Sequence, residues 1–155
     1  EGFISKDFGF VIAVSSIVTV GDGIIIPGDG AAYYQTKFKL FTYKPELQEV
    51  VLGNVSEITD FGAFVNIGAV DAMVHISQTM DDFVSFSKSN ILTGKETKRT
   101  LRVGDKCRAR VTQISYKDPS NPKIGVTMRQ HMLGNLKWIE EELKKQQKTQ
   151  KTKAK

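Results

Sequence analysis

Hydrophobic and polar positions divide the chain into a β-rich opening, a second series of short strands and a helical end. Residues 8–43 are rich in Val, Ile, Phe and Tyr, which favour a pleated, half-buried surface. A strand is predicted over Phe8–Val20, broken by Gly21-Asp22-Gly23 as by a hairpin turn. Ile24–Ile26 continues briefly to a second turn cluster, Pro27-Gly28-Asp29-Gly30, and a long strand over Tyr34–Tyr43 ends before Pro45. From residue 49, five short strands are predicted, Glu49–Ile58, Gly62–Ile67, Met73–Ser77, Lys106–Ser115 and Lys123–Met128. Five such strands fit a small Greek-key barrel of the oligonucleotide-binding (OB) type. The polar stretch Phe83–Thr100 reads as a long loop with a short helical piece. Met132, Leu133, Leu136, Ile139 and Leu143 recur at helical spacing, so 131–143 reads as a helix with one apolar stripe. Beyond Lys144 the chain has no apolar run and is expected to be disordered. The predicted fold is therefore mainly β, in three parts. Residues 1–46 form a partial antiparallel tip domain, 47–130 a five-stranded OB barrel, and 131–155 a helix with a lysine-rich tail.

Charge sharpens this picture. The formal net charge of +5 is not spread over the body, because residues 144–155 hold six lysines and no acid. Without them, 16 basic side chains face 17 acidic ones. A second basic stretch, residues 95–110, carries Lys95, Lys98, Arg99, Arg102, Lys106, Arg108 and Arg110 against Glu96 and Asp105. Such a local stripe suits a phosphate backbone, and equally an ordinary solvated face. No run approaches the roughly 18 apolar residues of a membrane span, and the expected location is the cytoplasm.

Catalytic signatures are missing from the sequence. It contains neither a Gly-x-x-x-x-Gly-Lys phosphate loop nor a Gly-x-Ser-x-Gly elbow. His75 and His131 are far apart, and the lone Cys107, between the charged Lys106 and Arg108, reads as a small core residue. Asp81-Asp82 reads as a solvated loop pair rather than a metal site. No catalytic residue, metal or cofactor is expected.

A nucleic-acid constellation is better developed. Asp60-Phe61-Gly62-Ala63-Phe64-Val65 and Val74-His75-Ile76-Ser77 bring two aromatics and a histidine close together on short strands. Single-stranded bases stack on exposed aromatic faces, and Gly62 admits a close approach. Alternation along Lys106–Val111 turns Arg108 and Arg110 away from the core, where guanidinium groups bind phosphate or stack on bases. Each residue also has a plain structural role open to it: Phe64 as core, Phe61 less so at its turn, and His75 as a hydrogen-bonded framework histidine.

On these residues, together with Gly53-x-Val55, Val103-Gly104-Asp105 and Asp118 followed by Lys123-Ile124-x-Val126-Thr127, the second domain resembles the S1 RNA-binding domain. The resemblance implies an RNA face of Phe61, Phe64 and His75 with an acid–base pair, Asp118 and Lys123. The whole chain resembles, more specifically, the archaeal E-prime family of DNA-directed RNA polymerase subunits, the counterpart of the seventh subunit of eukaryotic RNA polymerase II. Pro27-Gly28-Asp29-Gly30-Ala31-Ala32-Tyr33, His75-Ile76-Ser77-Gln78-Thr79-Met80-Asp81-Asp82-Phe83 and Thr127-Met128-Arg129-Gln130 carry this likeness. The resemblance implies that the strand and helix with which that family's first domain opens would lie before Glu1. The resemblance implies a non-catalytic stalk component of RNA polymerase. Such a component pairs with the F subunit as a heterodimer, docks near the polymerase clamp, and holds emerging single-stranded RNA to support initiation and processivity. Gly28, Asp29, Gly30 and Tyr33 would lie at the docking tip. The alternative expectation is an S1-type accessory component of an RNA-degrading or translation complex.

Overall fold

The computed structural model describes residues 3–87, 89–118 and 122–153, with side chains as far as residue 147. The chain divides into two compact units, Glu1–Lys44 and Pro45–Lys155.

In the first unit, β1 (Ile4–Ser5), β2 (Gly9–Ile25) and β3 (Ala32–Tyr43) form an antiparallel sheet in that order. No turn forms at Gly21-Asp22-Gly23, where the sequence predicts one. β2 runs through these residues, and the glycines are absorbed in an irregularity of register between Val20 and Gly23. Such a bulge bends and twists a strand without ending it. The reversal falls instead at the second cluster, where the Asp29 amide donates to the Ile26 carbonyl at 3.0 Å and Gly28 takes a φ of +91°. The two long strands of this ribbon are mostly uncovered: Ile17, Ile24, Ile25 and Phe41 are all more than 60 % exposed.

The second unit opens with β4 (Val50–Ile58), β5 (Gly62–Asn66) and β6 (Asp71–His75). An inserted sheet follows, made of β7 (Val84–Ser87), β8 (Ile91–Gly94) and β9 (Thr100–Arg102), and then β10 (Lys106–Ser115) and β11 (Lys123–Thr127). The expected barrel is present. Its strands follow one another in the order β4-β5-β6-β11-β10, and β10 returns to β4. Closure needs β10 to serve two neighbours. Its first half pairs with β4, its second half with β11, and a bulge between Val111 and Gln113 makes the bend. Strict alternation fills the interior: Val55, Ala63, Val65, Ala72, Val74, Cys107, Ala109 and Val111 are all at most 2 % exposed. Cys107 is thus a core residue, as its alternation with charged neighbours implies, and burial pushes its thiol up to about 12.

The stretch after β6 differs from expectation. A 3₁₀ turn, Ile76–Gln78, leads to the antiparallel sheet β7-β8-β9, where the sequence reads as loop. Serine content conceals the alternation Val84-Ser85-Phe86-Ser87, and the Leu92–Leu101 pair, fully buried, gives this sheet its own core. Asp82 closes it, accepting from the Thr97 amide at 2.8 Å, the Thr97 hydroxyl at 2.7 Å and the Glu96 amide at 3.1 Å. These donors, the Thr97 amide foremost, hold its carboxyl down to about 2, below the usual aspartate range. A folded-state pKa below the unfolded one makes the contribution of Asp82 complete above the usual carboxylate range. It fades as pH falls toward about 2. Intrinsic amide exchange corrected for pH will therefore show the Glu96 and Thr97 amides losing protection as the medium is acidified from about pH 4 to about 2. An Asp82→Asn variant will lack that pH dependence.

The C-terminal helix starts later and runs further than its apolar stripe predicts. Met132 and Gly134 have φ of +62° and +105°, which no helix propagates through. Gly134–Asn135 forms β12 beside β10, and α1 (Leu136–Lys153) follows. Asn135 caps it, its side-chain oxygen accepting from the Lys137 amide at 3.0 Å. Trp138 and Ile139 are buried. Arg99 fastens the helix to the inserted sheet, pairing with Glu142 at 2.5 Å and lying 5.6 Å from the Trp138 ring centre. The helix continues into the stretch expected to be disordered. Lys and Gln are good helix formers, and Glu140 and Glu141 lie four residues before Lys144 and Lys145. Among the described residues no helix is long and apolar enough to cross a membrane.

Candidate nucleic-acid interface

The sheet formed by β5, β6 and β11 presents an outward face built by alternation. On β6, Ala72 and Val74 are fully buried while Asp71, Met73 and His75 face outward. Antiparallel register puts His75 opposite Gly62 and Met73 opposite Phe64. On the other side of Met73 stands Gly125 of β11, two residues after the exposed Lys123.

Phe61 precedes β5 in a tight bend. Its carbonyl accepts from the Ile76 amide at 2.8 Å, which ties the bend to the 3₁₀ turn. Its ring is 47 % exposed and meets the half-buried Phe64 ring edge-on, centroids 6.2 Å apart at 89°. Edge-on packing gains quadrupolar attraction, and the exposure of Phe61 leaves part of it open to solvent. His75 is exposed and oriented by Ser77, whose hydroxyl lies 2.8 Å from Nδ1 and whose amide donates to it at 3.3 Å. Nε2 is left as the polar tip of the ring.

Gly62 makes this arrangement possible. A β-carbon there would overlap the Val74 carbonyl and come within 3.1 Å of the His75 Cα. Only glycine lets β5 and β6 approach closely at this point, and that approach sets the bend carrying Phe61 against the end of β6 that carries His75.

The sequence-predicted cations divide. Lys123 lies on the same sheet face as Met73, at the start of β11. Asp118 is exposed just after β10, and residues 119–121, which follow it, lie outside the described residues. Arg108 and Arg110 turn outward as alternation predicts, yet they do not stand beside the rings. Arg108 pairs across to Leu52 and Gly134, and Arg110 to Val50 and Thr127, whereas the neighbours of Phe64 are Glu57 and Met73. The Arg108 guanidinium donates to the Met132 carbonyl at 3.4 Å, and the Nε of Arg110 is buried. The closed barrel separates them, because β10 pairs with β4 and β11 but not with β5 or β6. Met73 is the member that sequence reasoning missed. Its signal was the same alternation, since a residue between inward Ala72 and Val74 must face outward with His75.

In the first unit, Gly28, Asp29, Gly30 and Tyr33 cluster at the hairpin end. The Tyr33 hydroxyl donates to Asp29 at 2.5 Å, which raises the phenol pKa and fixes the loop from within.

A five-stranded OB-type barrel whose open face combines two phenylalanines, a methionine and an oriented histidine is an S1-type domain, and the S1 RNA binding domain family matches residues 44–119. The remainder of the chain narrows the class. The whole chain, S1 domain included, is 42% identical over 138 residues to DNA-directed RNA polymerase subunit Rpo7 of Saccharolobus solfataricus, spanning 88% of this chain and 77% of that protein. The Sulfolobus acidocaldarius Rpo7 is 39% identical over 141 residues, 90% of this chain and 77% of that one. DNA-directed RNA polymerase III subunit RPC8 of Saccharomyces cerevisiae is 29% identical over 127 residues, 77% of this chain and 60% of that one. The chain belongs to the Rpo7 family of DNA-directed RNA polymerase subunits.

Proposed function

We propose that this chain is a non-catalytic stalk component of a cytoplasmic DNA-directed RNA polymerase that grips single-stranded RNA as it emerges. The observation that carries the reading is the exposed Phe61 ring, packed on Phe64 and next to the Gly62 that pairs with the oriented His75, with Met73 opposite Phe64. Bases stack on such rings without demanding a sequence. Lys123 on the same face supplies charge for the backbone, and Asp118 forms the acidic partner near that strand. Arg108 and Arg110 act as a more distant electrostatic field, given their strand neighbours.

In this reading the first unit is the docking element. Its long ribbon carries exposed Ile, Val, Phe and Tyr side chains, more apolar surface than an unpartnered ribbon sustains in water. The F subunit and the polymerase near the clamp are the proposed partners, with Gly28, Asp29, Gly30 and Tyr33 at the contact tip.

Two measurements test the proposal. Capture from native cell extract will recover the large polymerase subunits together with the F subunit; recovery of a ribonuclease or ribosome instead would reject the stalk role. Binding to mixed-sequence RNA will weaken linearly in log salt, with a slope of about −0.7 per phosphate contacted. Truncation after Leu143 removes six lysines and will flatten that slope while retaining the stacking contribution. Absence of any binding at low salt would reject the RNA-gripping role.

A further inference from the structure

A cavity of about 560 Å³ opens between the 3₁₀ turn and the inserted sheet, next to but distinct from the aromatic face. Its apolar side is formed by Ile76, Val84 and Phe83, and Phe83 is 73 % exposed. Its polar side is formed by Asp81, Asp82, Glu96 and Arg129. Three carboxylates thus meet one guanidinium, which is already paired with Asp81 at 2.8 Å. Asp82 is held by the amides of Glu96 and Thr97, so its place is fixed, while Glu96 is exposed at the rim.

This combination argues against a continuation of the RNA path. A polyanion entering the cavity would face three carboxylates against one guanidinium, and like-charge juxtaposition opposes binding. An arginine side chain has the complementary chemistry. Its aliphatic stem lies on apolar surface, its guanidinium stacks on an aromatic face, and its fork of donors matches a carboxylate. We infer that this cavity is a protein-docking site for a partner segment in which arginine alternates with an apolar residue. Ile76 and Val84 take the stem, the Phe83 ring the guanidinium face, and Glu96 with Asp81 its donors. The domain would then hold RNA on one face and a basic protein segment on the adjoining one, the RNA half resting on the function proposed above. Ser77 is common to both: it orients His75 and lines the cavity.

The test uses the full chain and a fluorescein-labelled octapeptide of alternating arginine and leucine, read by fluorescence anisotropy, with oligouridylate RNA titrated in parallel. Phe83→Ala and Glu96→Gln change exposed side chains and leave the Leu92–Leu101 core intact, so circular dichroism will match wild type. Each will weaken peptide binding about tenfold, the range expected for losing one cation–π or charge-assisted contact. RNA affinity will be unchanged. Peptide binding that is absent in wild type, or equal in wild type and both variants, overturns the proposal. So does a loss of RNA affinity in Phe83→Ala, which would assign the cavity to the RNA path instead. RNA binding that is absent throughout, with peptide binding present and sensitive to both variants, would reject the RNA-gripping role and leave the docking site standing.

Discussion

Replacing Gly62 with alanine will destabilise the barrel by about 3 kcal/mol or more, at or above the top of the range for overpacking a filled interior. The reason is the nature of the obstacle. The added β-carbon would strike the Val74 carbonyl, and the next atom in its way is the His75 Cα at 3.1 Å. A side chain could rotate aside, but backbone cannot without breaking the β5–β6 pairing from Gly62–His75 onward. The Thr59 amide and hydroxyl, which donate to the Gly62 carbonyl at 2.8 and 3.1 Å, would be drawn into the shift. A domain with a total stability of roughly 5–15 kcal/mol feels such a loss strongly. Equilibrium denaturation will show a much lower midpoint with little change in slope. The same substitution will spread Phe61 from His75, so RNA affinity will fall even in denaturant-free conditions where most molecules remain folded. A wild-type midpoint for Gly62→Ala would mean that the strand pair is far more yielding than its geometry implies.

Removing both rings, Phe61→Ala with Phe64→Ala, will weaken single-stranded RNA binding by about 3 kcal/mol, or roughly a hundredfold, for two stacked bases lost at about 1–3 kcal/mol each. The two substitutions will not contribute equally to stability. Phe61 is 47 % exposed at a bend, whereas Phe64 is half-buried between Glu57 and Met73. Phe64→Ala alone will therefore lower the unfolding midpoint modestly, and Phe61→Ala hardly at all. The salt slope of RNA binding will stay near the wild-type value, because phosphate contacts are untouched. Filter-binding titrations at several salt concentrations separate the two effects. Unaltered affinity in the double variant would remove the stacking platform from the mechanism, and collapse of the fold would mark both rings as core.

Much of the barrel is readable in the sequence because β alternation is a local property. Inward Ala72 and Val74, or Cys107 and Ala109, declare their face through their immediate neighbours. The same locality explains the errors. Glycines at 21 and 23 signal a turn in isolation, yet pairing between β2 and β3 on both sides of them holds them in a strand. The Ser-rich insertion reads as loop because its strands are short and its buried pair, Leu92 with Leu101, is brought together only by the folding of β8 on β9. A helix through Met132 and Leu133 fits the apolar spacing, but the backbone takes positive φ at Met132 and Gly134 and joins β10 instead.

Residue order by itself determined the β character of both units and the inward and outward sets of the barrel strands, since each depends on neighbours a few residues away, and it set Phe61, Phe64 and His75 on short strands adjacent in sequence. Tertiary structure alone decided which outward residues share a face. Barrel closure places β10 between β4 and β11, carrying Arg108 and Arg110 away from the rings and leaving Lys123 with them. Alternation assigns a side chain to the inside or the outside of a strand, but only the order of strands around a closed barrel determines its neighbours.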